Sequence, residues 1–211
     1  MNALVAAFAF LLGSSALAAG STPQVEISWF PYHHDPEPAW RLTVVSDGSI
    51  RYEETAEPVK LWDVHGESDL HWVVRSGKAR ARVASRKQRD LIESLSSLDL
   101  VALKRKYSAE FSYSSPTEVT TVVEADGSSH TVPAEVDHII THASTYGLRV
   151  IGGDVHVDSL IYAPFQALDC ENPEHPDRAA IIKFLRGWYY VLHATGPVHG
   201  FKASMFKSVM P

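Results

Sequence analysis

Cysteine is almost missing from this chain: Cys170 is the only one in 211 residues. No internal disulfide can form, so stability must come from packing whatever the redox state of the compartment. Asp169 and Glu171 flank the thiol, and negative neighbours disfavour the thiolate, which argues against a nucleophile. Long apolar runs are missing too. None reaches the roughly 20 residues that a helix needs to cross a bilayer. The phosphate-cradling patterns G-x-x-x-x-G-K and G-x-G-x-x-G do not occur, nor does the G-x-S-x-G elbow of serine hydrolases. Ser204 and Lys207 match S-x-x-K, but the accompanying S-D-N and K-T-G elements are lacking.

Charge is missing from the N-terminal stretch, where no charged residue precedes Glu26. An apolar run from Ala3 to Leu12 is followed by Gly13, Ser14 and Ser15 and then by Ala16-Leu17-Ala18. This is the layout of a secretory signal peptide over residues 1–19, although the positive n-region is supplied by the chain's amino terminus alone. The mature protein is therefore expected to be exported, periplasmic or extracellular, and not membrane-spanning.

What remains has an ordinary globular composition, 45% hydrophobic and 21% charged, with a net charge of −6. The charge is unevenly spread. Lys78 to Lys106 holds nine Lys or Arg against three Asp or Glu, a net of +6, which leaves −12 for the rest. A basic stretch can meet nucleic acid, but this one lacks interleaved aromatics for base stacking, and an exported protein rarely encounters any. A solvated face is the usual explanation.

Local patterns outline the elements. QVEISWF (24–30) alternates as a strand, and AWRLTVV (39–45) and SIRYEE (49–54) flank Ser46-Asp47-Gly48, a tight hairpin turn. LHWVVRSGKARARVA continues in extended form. Ser85 reads as a helix N-cap with Gln88 completing a capping box, and Leu91, Ile92, Leu95 and Leu98 follow at helical spacing. EVTTVVEA and SSHTV form a second hairpin through Asp126-Gly127. A second helix is expected from Ala134 to about Thr145, ended by Gly147. VIGGDVHVDSLIY reads as a strand. A third helix runs from about Arg178 to Ala194, with Ile181, Ile182, Leu185, Trp188, Tyr189 and Leu192 on its apolar face. Hairpins separated by helices predict an α+β fold, an antiparallel sheet packed against two to three helices.

WRLTVVSDGSIRYE, RVASRKQRDLIESLSSLDLVALKRKY and PTEVTTVVEADGSSHTV resemble, in order and spacing, the bacterial family called domain of unknown function 6438. The resemblance covers residues 24–145 and implies an exported or envelope-associated α+β module with no established activity. Members usually carry Cys-Gly and Cys-Pro between the first two strands, where this chain has PYHHDPEP, so nothing about those cysteines transfers. The resulting division is a signal peptide at 1–19, an α+β domain at 20–145, and a C-terminal strand and helix at 146–211 packed on the same domain.

Three polar clusters are candidate sites. In DHIITH, His138 and His142 stand four apart on the expected second helix, a spacing that zinc enzymes use. They fall outside the arc of Val136, Ile139, Ile140 and Ala143, and Ile139 stands where a metalloprotease has its Glu base, so the helix surface is the favoured reading. In DVHVD, Asp154, His156 and Asp158 share one strand face, with Val155 and Val157 on the other, which is also the pattern of a half-solvated strand. His33, His34 and Asp35 form the third cluster. Trp62, Trp72, Trp188, Tyr189 and Tyr190 could line a carbohydrate or peptide groove, though buried packing is commoner. No complete catalytic set emerges, and the expectation leans away from an enzyme. The first reading is a non-catalytic exported module binding a protein or envelope component, without cofactor. The alternative is a metal-binding protein or metal-dependent enzyme, holding zinc through His138, His142, Asp154, His156 and Asp158.

Overall fold

A computed structural model describes residues 23–31, 37–58, 70–78, 80–108, 110–138, 143–152, 155–169 and 175–211. The expected signal peptide, the cluster at His33, His34 and Asp35, and Trp62, His142, Asp154 and Cys170 lie outside these residues.

Strand β1 (Gln24–Phe30) sits near the middle of a seven-stranded sheet. On one side β2 (Trp40–Val44), β3 (Ile50–Thr55) and the short β4 (Trp72–Val74) follow in order, all antiparallel. Gly48 takes φ +85° in the β2–β3 turn, which a residue without Cβ adopts freely. Helix α1 (Ser85–Ser96) comes next, then a 3₁₀ turn at Leu100–Ala102 and the edge strand β5 (Lys106–Ser108). Among the described residues, β6 (Phe111–Val123) and β7 (Ser129–His138) pair only with each other, as a separate two-stranded ribbon. β8 (Thr145–Gly152) then returns beside β1, and β9 (Val155–Tyr162) lies between β8 and β5. The β5–β9 pair is the parallel one. Helices α2 (Pro164–Asp169) and α3 (Arg178–Thr195) and a 3₁₀ helix at Ala203–Val209 complete the chain. The α+β architecture matches the expectation, and residues beyond 145 supply two inner strands and the main covering helix.

Cross-strand register explains which face is dry. Val25, Ile27 and Trp29 on β1 lie opposite Val44, Leu42 and Trp40 on β2, and opposite Val150, Leu148 and Tyr146 on β8. These side chains therefore share one face, which α3 covers with Ile181, Phe184, Leu185, Trp188, Val191 and Leu192, all essentially buried. Gly187 lets the helix approach closely, since a Cβ there would lie 2.6 Å from a Leu148 methyl. Trp188 donates its indole N–H to the Gly147 carbonyl at 2.9 Å and stacks on Phe206 with ring centroids 5.8 Å apart. Trp29, Trp40, Tyr146 and Phe201 extend this aromatic cluster. Trp188 is thus core, as its place on the apolar face of the third helix requires.

Three local expectations are corrected. Residues 134–138, expected to open a helix, belong to β7, and Thr145 to Gly152, with Gly147 inside, form β8. Val132, Ala134 and Val136 alternate with exposed neighbours, and pairing with β6 supplies the hydrogen bonds that a helix would have made internally. Pro133 is tolerated because a two-stranded ribbon has open edges. The capping box is also absent. Ala84 is the N-cap residue with no side-chain bond, and Gln88 instead donates to the carbonyls of Ser46 at 3.0 Å and Val45 at 3.4 Å. The amide thereby ties α1 to the first hairpin turn. Finally, VIGGDVHVDSLIY is two antiparallel strands, with Gly152 at φ +153° ending the first.

Candidate functional site

The sheet face away from α3 carries a row of charges. Asp158 on β9, Arg149 on β8, Glu26 on β1, Thr43 on β2 and Arg51 on β3 stand in register. Arg149 Nη2 donates to Asp158 Oδ2 at 3.2 Å and approaches Glu26 at 3.8 Å, while Thr43 Oγ1 donates to Glu26 at 2.9 Å. In the next row, buried Glu53 accepts from Arg41 Nε at 2.7 Å and from Arg51 Nη2 at 2.8 Å. The Arg41 guanidinium rests over the Trp72 ring at 4.4 Å, a cation–π contact. Three carboxylates thus face three guanidiniums. Compensation of this kind holds buried charge in place and leaves these acids committed to cations rather than to a reacting group.

Glu54 and His175 are similarly engaged. Buried Glu54 accepts from the Tyr52 hydroxyl at 3.0 Å and from Arg75 Nε at 3.2 Å. Burial, and then the bond to Glu54, push the Tyr52 phenol well above its ordinary range. Burial alone pushes Tyr146 up to about 12. His175, also buried, was not singled out by sequence. The Asp177 N–H donates to its Nδ1 at 3.0 Å, so Nε2 carries the proton and donates to the Ser108 carbonyl at 2.8 Å. Its ring meets Phe111 at 4.8 Å, at the base of the ribbon.

Of the expected metal ligands, His138 is the last residue of β7, its backbone paired with Phe111. His156 is exposed on β9 opposite Ile151, and Asp158 is held by Arg149. His142 and Asp154 are outside the described residues. Among the described residues, no group of three or more His, Cys, Asp or Glu side chains is placed to hold a metal ion. No helix among them is long and apolar enough to cross a membrane.

A groove of about 570 Å³ opens between α1 and α3, within the size range of small-ligand sites. From α1 it takes Arg86, Lys87, Asp90, Leu91 and Ser94, which recur at helical spacing on one face. From α3 come Tyr189, Tyr190, His193 and Ala194, and Met210 lies at one side. Leu91 and Ala194 are buried and form the floor, the tyrosines are half-buried, and Arg86, Lys87 and His193 are exposed. Tyr189 stacks on His193 with ring centroids 5.7 Å apart and meets Tyr190 edge-on at 5.5 Å. The first turn of α1 contains no acid, only Arg86, Lys87 and their neighbours. Cations there oppose the helix dipole and cost a few tenths of a kcal/mol, up to about 1. The site concentrates positive charge beside aromatic faces, a combination that grips carboxylates and flat or extended ligands.

Sequence reasoning noted the basic stretch and the tyrosines separately. Their meeting depends on α1 packing against α3, roughly a hundred residues later. No protein-family model matches the chain, and no curated protein matches it.

Proposed function

We propose that this protein is an exported, non-catalytic binding module that holds an anionic partner in the groove between α1 and α3. One observation carries the reading: Arg86 and Lys87 occupy the first turn of α1, where they work against helix stability, and both face an aromatic-lined groove. A basic pair placed where it opposes its own helix dipole is accounted for by an anionic ligand. The engagement of Glu26, Glu53, Glu54 and Asp158 with neighbouring arginines supports a binding role over acid–base chemistry. Export rests on the Ala3 to Leu12 run and the small residues after it, and the resemblance to domain of unknown function 6438 agrees with an envelope location.

The test is titration of the purified protein with a short poly-glutamate peptide. Arg86→Glu combined with Lys87→Glu should weaken binding by at least about tenfold and leave the melting temperature unchanged or higher, because acids favour a helix N-terminus. Equal binding by the wild type and the double variant would refute the groove. N-terminal sequencing of protein from its native compartment checks the export half, with residue 20 as the expected first residue.

A further inference from the structure

Among the described residues, the β6–β7 ribbon forms a two-stranded sheet apart from the main one. Residues 119–131 are exposed throughout, including Val119 at 66% and Val123 at 69%. Val119 and Val123 alternate onto one face, with Pro133 opposite Val119. A two-stranded hairpin with both faces wet is marginally stable in water, and apolar side chains gathered on one face mark a contact surface. The ribbon is also strongly acidic. Residues 111–138 hold Glu118, Glu124, Asp126, Glu135 and Asp137 and not a single Lys or Arg. At about 3.4 Å per residue, β6 spans roughly 40 Å, long enough to reach over a neighbouring molecule.

The same chain carries the complement. From the basic Lys78–Lys106 stretch, α1 brings Arg86 and Lys87, with Asp90 beside them, to a groove that also holds buried Leu91 and Ala194 and the half-buried Tyr189, Tyr190 and Met210. Two ribbons meeting each other would bring five acids against five, and like charges repel across such a contact. A ribbon meeting the α1–α3 groove pairs opposite charges and gives the valines an apolar floor.

We infer that the occupant of the groove is the β6–β7 ribbon of a second copy of this chain, exchanged reciprocally in a two-fold dimer. This rests on the groove reading above and names its partner. Reciprocal exchange satisfies both ribbons and both grooves at once and closes the assembly at two copies. Because the contact is built on charge, its strength falls with salt.

Sedimentation of the purified protein over a range of concentrations and ionic strengths tests the inference. A dimer is expected at about 0.05 M salt, with its dissociation constant at least about tenfold weaker at about 0.5 M. Arg86→Glu with Lys87→Glu reverses the groove, and Val123→Lys with Glu124→Lys reverses the ribbon at two exposed positions. Each variant alone should be monomeric with an unchanged circular dichroism spectrum. Mixing the two leaves one contact as it is in the wild type and gives the other swapped charges, so a heterodimer should form. A wild type that stays monomeric throughout, or mixed variants that do not associate, overturns the dimer. If poly-glutamate still binds the groove of such a monomer, only the second copy falls as partner. If it does not, the groove reading falls with it.

Discussion

β1 and β6 both carry apolar side chains, yet β1 is almost wholly buried while Val119 to Val123 are exposed. The difference lies in the neighbours. β1 has a strand on each side, α3 against one face and a compensated ion-pair row on the other. β6 has β7 alone. Alternation makes a strand two-faced, and whether either face contributes stability depends on what is brought to cover it.

The sharpest way to break this contrast is to delete matched side chains from each region. Trp188→Ala removes a fully buried indole, its bond to Gly147 and its stack on Phe206, so a loss of about 3–5 kcal/mol is expected in denaturant unfolding. Val123→Ala in the ribbon should stay within about 0.5 kcal/mol. Comparable losses at both sites would show that the ribbon is covered in the isolated chain.

Alkaline pH should act on the body in the same sense. Tyr146 is raised by burial from the usual 10 to about 12, so the folded state keeps a proton that the unfolded state releases. Stability is then intact below about pH 10 and is lost as pH climbs towards 12, by roughly 2–3 kcal/mol. Tyr146→Phe should flatten the upper end of a plot of stability against pH, and an unchanged slope would show that the phenol is not buried.

A smaller effect tests the close approach of β1 and β8. A Cβ on Gly147 would collide with Ser28 Oγ, so Gly147→Ala should cost about 1–3 kcal/mol. Part of that loss should return in a Ser28→Gly background. At Gly127 in the ribbon turn nothing lies near a new Cβ, and the strain of φ +86° is the only expected penalty.

Much of the fold was legible in the residues. The Asp-Gly turns at 47–48 and 126–127 occur where expected, and the hydroxyl or amide of the following serine bonds each aspartate. α3 matches its expected extent to within a residue, and Ile181, Leu185, Trp188 and Leu192 of the expected stripe are buried, while Ile182 and Tyr189 are half-buried and Phe184 and Val191 join the core. DHIITH misled because Val136, Ile139, Ile140 and Ala143 fit helical spacing while Val132, Ala134 and Val136 fit a strand, and short apolar patterns do not decide between the two. The pairing partner, β6, decided it over residues 134–138. Ser85 and Gln88 misled in the same way, since the carbonyls that captured Gln88 lie 42 and 43 residues earlier.

Composition and local order determined the α+β class, the hairpin turns, the helix α3 and the uneven charge, because each depends on residues within a turn or two of one another. Which strand became core, which acids found arginines, and where Arg86 and Lys87 met Tyr189 and Tyr190 were decided by tertiary structure. Those outcomes depend on partners as distant in sequence as Gln24 and Ile151, whose proximity the folded backbone alone creates.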